Sequence, residues 1–325
     1  MRLLKGLIII LAIGGVAALV LASRASSRPL TKISSLNPAM NFAYVRISGK
    51  VFDFPIVSPT DGYLSFTVND QSGDVRVTAY RSTVDELMKR NQIPLPGSVV
   101  TAEGTLRLRD DEPTLTLNMP EALEINTPAS TAASIGALNA FNLGERVTVS
   151  GQVRRVRVTG DTYQIVTLRE GAAEADMVIP YQSGDMFGKA PSLVDGTWIS
   201  VTGSVNEYRG KRELMVSHAE DIKSSQAMSF DARPLEALNR SMIGQWVAVN
   251  ASISKLRPMK QGMLIDLRDD AGHTLTVVMF DQWYRVPFSA TLQTGSRISV
   301  QGELVDFHGA LEIQPEFSFD LIKHQ

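Results

Sequence analysis

Apolar and polar positions alternate over short stretches all along this chain. YVRISGKV (44–51), RVTVSGQV (146–153) and WVAVNASI (246–253) each keep a period of two. That spacing predicts a strand with one buried face. After each stretch the apolar phase slips to three, from Val51 to Phe54, Val153 to Val156 and Ile253 to Leu256. A slip of this kind predicts a β-bulge or a sharp bend. A second set predicts hairpins: FTVNDQSGDVRVTAY (66–80), VTLREGAAEADMVIPY (166–181) and IDLRDDAGHTLTVVMF (265–280). These align on Val68, Leu168 and Leu267, with Asp70, Glu170 and Asp269 two residues later. A third set reads PGSVVTAEGTL, DGTWISVTGSV and GSRISVQGEL, each a turn glycine followed by a strand containing a second glycine. TLTL (114–117), RELMV (212–216) and ALEI (310–313) predict a closing strand.

These landmarks recur in one order. The pairs Gly97/Gly104, Gly196/Gly203 and Gly295/Gly302 are displaced by 99 residues at each step. Leu36-Asn37, Leu138-Asn139 and Leu238-Asn239 precede the small residues Gly49, Gly151 and Ala251 at a constant spacing. The chain is one unit used three times. Each unit holds five strands, with a short segment between the third and the fourth. In the first copy that segment, Ser82 to Arg90, predicts a helix with Ser82 as N-cap, acids early and bases late. In the other copies 181–192 and 281–293 carry Gly184, Gly188 and Pro287, which weaken any helix. Five strands with a helix after the third match the five-stranded Greek-key OB barrel. Tandem immunoglobulin-like sandwiches are the rival, but they need about seven strands and a core Trp on a fixed strand. Trp198 and Trp246 stand at different repeat positions.

The N-terminus has another pattern. Arg2 and Lys5 precede an unbroken apolar run from Leu7 to Ala22. At about 1.5 Å per residue the run spans roughly 24 Å. Leu3 and Leu4 bring it to spanning length, with Lys5 snorkelling. Residues 3–22 therefore read as a signal anchor in the membrane. The basic excess ahead of the run places the C-terminal domains outside the cytoplasm. The alternative is a cleaved signal peptide, because Val20-Leu21-Ala22 and Ser23-Arg24-Ala25 offer small-residue cleavage sites. Cleavage would leave a secreted or periplasmic protein.

Composition then removes whole classes of chemistry. The 325 residues contain no cysteine and four histidines, no two of them at helical metal-pair spacing. Disulfides, thiolate nucleophiles and Cys-ligated metals are excluded. No G-x-S-x-G, P-loop or nuclease-like constellation is present, so we expect no catalytic residue, no metal, no cofactor and no enzyme. The formal charge of −2 combines +2 from Arg2 and Lys5 with −1, −1 and −2 over residues 24–126, 127–226 and 227–325. That disfavours strong nonspecific nucleic-acid binding. The recurring acids Asp70, Glu170 and Asp269 read as turn acids that accept backbone N–H groups. Asn139 and Asn239 read as residues that end short helices.

The pattern V-x-V-x-G-x-V, then L-x-D-x-x-G, then G-x-x-V-x-V-x-G resembles the OB-fold nucleic-acid-binding module of the tRNA-anticodon and helicase type. The third copy, with VAVNASISKL, LIDLRDDAGHTLTVVMF and GSRISVQGEL, resembles it best. The resemblance implies an all-β chain: three tandem five-stranded OB-type Greek-key barrels plus an N-terminal transmembrane helix. We divide it into an anchor or signal peptide (1–23), a tether (24–38), barrel 1 (39–126), a linker (127–143), barrel 2 (144–224), a linker (225–243) and barrel 3 (244–325). The resemblance also implies a groove between the loops joining strands one to two and four to five. In the middle copy those loops carry Arg154, Arg155, Arg157 and Tyr163 on one side and Tyr208, Arg209, Lys211 and Arg212 on the other. Cations there could neutralise phosphates while Tyr offers a stacking plane. Two functions stay open: a noncatalytic module for single-stranded nucleic acid, or an extracytoplasmic scaffold for a protein or glycan partner.

Overall fold

The computed structural model describes residues 28–58, 60–109, 112–160, 163–180, 193–225, 230–280 and 292–324. The expected membrane run lies outside these residues, as do 181–192 and 281–291 between the third and fourth barrel strands. Among the described residues, no helix is long and apolar enough to cross a membrane.

The first barrel contains β1 (Tyr44–Val51), β2 (Ile56–Ser58), β3 (Tyr63–Asn69), β4 (Asp74–Tyr80), helix α1 (Ser82–Lys89), β5 (Val99–Arg109), β6 (Glu112–Thr116) and β7 (Leu123–Asn126). The second contains β8 (Thr131–Ala132), β9 (Arg146–Thr159), β10 (Tyr163–Glu170), β11 (Ala173–Pro180), β12 (Trp198–Tyr208), β13 (Lys211–Met215) and β14 (Ile222–Ser224). The third contains β15 (Trp246–Met259), β16 (Gly262–Arg268), β17 (Thr274–Phe280), β18 (Arg297–Phe307), β19 (Ala310–Gln314) and β20 (Leu321–Lys323). Each sheet closes because its first strand pairs with both the second and the fourth: β1 with β3 and β5, β9 with β10 and β12, β15 with β16 and β18. The parallel pairs β4–β6, β11–β13 and β17–β19 complete the Greek key. A short further strand, β7, β14 or β20, pairs with the fourth strand of each barrel. Each barrel encloses its own aliphatic core. The chain divides at Pro128/Ala129 into two compact units, so the second and third barrels share one unit.

The in-strand glycines are required by close approach. A Cβ on Gly104, Gly203 or Gly302 would overlap the carbonyl oxygen of Thr116, Met215 or Gln314 on the fifth strand. The preceding turn glycines, Gly97, Gly196 and Gly295, hold φ of 86°, 87° and 89°, a region costly to side chains with a Cβ.

The phase slip takes two forms. In barrel 1 it is a break: β1 stops at Val51 and β2 resumes at Ile56, both paired with β3. In the other barrels the strand runs through with one extra residue. Val153 faces Leu168 and Arg155 faces Thr167, which leaves Arg154 unpaired on β9. Ser254 holds that place on β15, between Ile253 and Lys255. A bulge re-aims the side chain it carries, and Arg154 uses this below.

The segments read as tether and linkers belong partly to the barrels. Leu30, Thr131 and Arg233 bridge in parallel to the first strand at Arg46, Val147 and Val249. Single 3-10 turns follow, and Ile33, Ile135 and Leu235 from them are buried in the three cores. Asn37 and Asn239 begin a second turn rather than end one; their side chains accept from the N–H of Ala39 and Ser241. Asn139 lies inside the 3-10 turn 135–140. Helix α1 starts at Ser82, so Arg81, with φ of 49°, is its N-cap in place of Ser82.

The recurring acids secure these turns. Asp70 Oδ2 accepts from Ile33 N at 2.8 Å, and Glu170 Oε2 from Ile135 N at 2.6 Å. Asp269 instead accepts from its own hairpin, from His273 N at 2.8 Å. Burial alone would raise the Asp70 pKa, but hydrogen bonds from Ser72, Ile33 and Gly73 outweigh it and hold the carboxyl below its usual range. A depressed carboxylate pKa contributes stability above the unfolded value of about 3.9 and loses it as pH falls through the folded value. Asp70→Asn should therefore cost the first barrel about 1 kcal/mol at neutral pH. It should also flatten the stability decline below about pH 4. Urea midpoints across that range check both; an unchanged midpoint at pH 7 would refute the pairing.

Candidate nucleic-acid interface

One face of barrel 2 carries a groove of about 580 Å³. The stretch of β9 past its bulge, the β10–β11 hairpin and the β12–β13 hairpin bring the lining residues together. Outward positions alternate with core positions such as Val153, Val166, Leu168 and Met177, so the polar residues share the groove side. Arg154, Arg155, Arg157, Tyr208, Lys211 and Arg212 all line it. Tyr163 and Arg209, also expected there, do not. Tyr163 stands at the start of β10 opposite Thr159 and Pro180. Arg209 sits at the hairpin tip with φ of 51° and its guanidinium 5.1 Å from the centre of the Tyr208 ring. Tyr208 is 58% exposed, with Arg209 over one face of its ring.

The cations differ in what they already hold. Arg157 pairs with Asp176 at 2.7 Å, and Asp176 also accepts from Thr167 at 2.6 Å. Arg212 pairs with Glu207 at 2.9 Å. Arg155 and Lys211 are exposed and have no acidic partner among the described residues. They are the two available cations, one on each wall. Burial pushes the pKa of Glu213 up; Asn206 donates to it at 2.9 Å, and Asp176 opposite adds to the rise.

Arg154 departs most from the expectation of an open ligand contact. It is 3% exposed. Its guanidinium forms a two-point ion pair with Asp320 of barrel 3, and Nη2 also meets Glu316 at 3.0 Å. Burial would lower its pKa, but Asp320 and Glu316 outweigh that and hold it above the ordinary arginine value. The rings of Phe317, Phe319 and Trp246 lie 4.6, 4.9 and 5.5 Å from the guanidinium carbon. The bulge thus turns this arginine toward the third barrel.

Several groove residues escaped the sequence reading. Arg169 lies 3.7 Å from the centre of the Trp246 ring and bonds Glu174 at 2.7 Å. Glu174, Asp176 and Glu213 share the groove, and Glu316 enters it from barrel 3. Strand alternation through Thr167, Arg169, Glu174 and Asp176 could have found the local ones. No local pattern announces Glu316.

In barrel 3 the corresponding cation is satisfied. Arg257 bonds Asp266 through two nitrogens at 2.8 and 2.6 Å, and Thr276 donates to the same carboxylate at 3.1 Å. The Thr and Asp of barrel 2 have exchanged strands. Phe307, 56% exposed, stands where barrel 2 has Tyr208.

The fold defines a class: a chain of three tandem OB-type barrels. Residues 147–222 match the family described as the OB-fold nucleic acid binding domain of tRNA anti-codon type. Among solved structures the chain is similar to one of a replication protein A heterotrimer bound to single-stranded DNA, at 10% identity and a TM-score of 0.32, covering 91% of this chain and 96% of that one. It is also similar to the S. pombe Stn1–Ten1 complex, at 16% identity and a TM-score of 0.22. That second match covers 25% of this chain and 58% of the other, less than two thirds of its length. No curated protein matches the sequence.

Proposed function

We propose that this is a membrane-tethered, noncatalytic OB-fold repeat protein whose middle barrel binds single-stranded nucleic acid. The observation that carries the reading is the barrel 2 groove, where the available cations Arg155 and Lys211 flank the exposed Tyr208 ring. Cations on the walls follow a phosphate backbone, and an aromatic face accepts a base of any sequence. The family match over residues 147–222 supports the same barrel. The membrane anchor is residues 3–22, and the barrels lie outside the cytoplasm.

Anisotropy titration of the detergent-solubilised full chain with fluorescent single-stranded DNA and RNA tests the binding. The expected result is dissociation constants of about micromolar at about 50 mM salt, weakening steeply as salt rises. No binding at that salt sinks the reading. A reporter fused to the C-terminus tests the sidedness; a cytoplasmic signal removes the extracytoplasmic placement.

A second reading draws on the acids. Glu174, Asp176, Glu213 and Glu316 line the groove beside its cations. Mixed charge of this kind also suits an extracytoplasmic scaffold that takes a protein or glycan partner. Failure of both oligonucleotides together with an extracytoplasmic reporter would favour it.

A further inference from the structure

The barrel 2 groove already holds an anion. Glu316, just past β19, reaches across from the third barrel and lines the groove. Its Oε2 lies 3.0 Å from Nη2 of Arg154 and 3.6 Å from Nη2 of Arg169. Two guanidinium groups converging on one carboxylate oxygen make an arrangement that suits a phosphate oxygen equally well. Asp320 plays a different part. It is fully buried and accepts from Arg154, from Gln301 at 2.9 Å, and from the backbone N–H of Glu316 and Phe317 at 3.1 and 2.9 Å. Asp320 therefore neutralises Arg154 through both Nη atoms at the joint between the barrels. The Glu316 side chain keeps 39% exposure and faces the groove.

We propose that Glu316 is an internal competitor for the ligand. Its carboxylate occupies the position between Arg154 and Arg169 until a phosphate of the bound strand displaces it, and this competition lowers the affinity. The inference rests on the reading of the groove as a nucleic-acid site. A carboxylate that served only as a strut between barrels would behave differently, because removing it would loosen the protein and leave binding no tighter.

The test titrates the full-length chain and Glu316→Gln with fluorescent single-stranded DNA over a range of salt. The variant should bind about three- to tenfold tighter at about 50 mM salt. Its log–log salt slope should match that of wild type, because the displacing phosphate is contacted in both complexes. Glu174→Gln is the control. It removes one negative charge from the same groove, and Glu174 bonds Arg169. It should give a smaller gain. If wild type and Glu316→Gln bind equally, the competitor is overturned while the nucleic-acid reading stands. Equal gains in the two variants also overturn it, since bulk charge would then explain them. A Glu316→Gln protein that unfolds or binds less tightly marks a strut and overturns it. No binding by any of the three overturns both readings.

Discussion

Asp320→Ala should destabilise the unit holding the second and third barrels by about 3–5 kcal/mol. The effect comes from what remains behind. Arg154 is 3% exposed and Asp320 is 0% exposed, so the substitution leaves a guanidinium without its buried counter-ion. Gln301 and the N–H groups of Glu316 and Phe317 lose an acceptor at the same moment. A buried unpaired donor costs about 1–3 kcal/mol by itself. Rearrangement is resisted because Phe319 packs against Gly196, where a Cβ would lie 2.9 Å from the ring. Part of the loss returns if both charges go. Arg154→Met with Asp320→Leu should be less destabilised than Asp320→Ala, because the pair's desolvation cost disappears with its attraction, while Gln301 and the two N–H groups still lack an acceptor. Urea unfolding followed by tryptophan fluorescence reads both variants. A single-variant loss below about 1 kcal/mol would show that the ion pair does not hold the joint.

What could be read from the chain followed the range over which each interaction acts. Alternation, turn glycines and the three-residue slips are local consequences of closing a small barrel. They located all three sheets and the bulge positions. The 3-10 turns were harder. Ile33, Ile135 and Leu235 each stand three residues ahead of the recurrent Leu-Asn pair, yet all of them fell inside the segments read as tether and linkers. Their burial in the cores, the parallel bridges beside them, and the acids Asp70 and Glu170 reaching back from the hairpins tie these turns to the barrels. The groove was legible through the two hairpins that form its walls. Its floor was not, because Arg169, Glu174 and Asp176 resemble any solvated strand face until the sheet curls. Arg154 shows the limit best. Its neighbours suggested a basic loop, but its partner Asp320 lies in another barrel, and no periodicity within either copy encodes that pairing.

Arg155→Glu with Lys211→Glu should weaken single-stranded nucleic-acid binding about a hundredfold, equivalent to roughly 2.7 kcal/mol. These two cations stand on opposite walls of the groove and have no acidic partner among the described residues, so no existing ion pair competes for them. Each reversal removes one phosphate contact and adds one repulsion. The log–log salt slope should fall by about 1.4, two phosphates at about 0.7 each. Arg157→Gln makes the contrast, because Arg157 is already paired with Asp176 at 2.7 Å and should contribute less. Tyr208→Ala should cost about 1–3 kcal/mol without moving the slope, since stacking releases no counter-ions. Both reversed positions are exposed, so stability should stay within about 0.5 kcal/mol. Binding unchanged in the double variant, with the salt slope intact, would move the nucleic-acid site off this groove altogether.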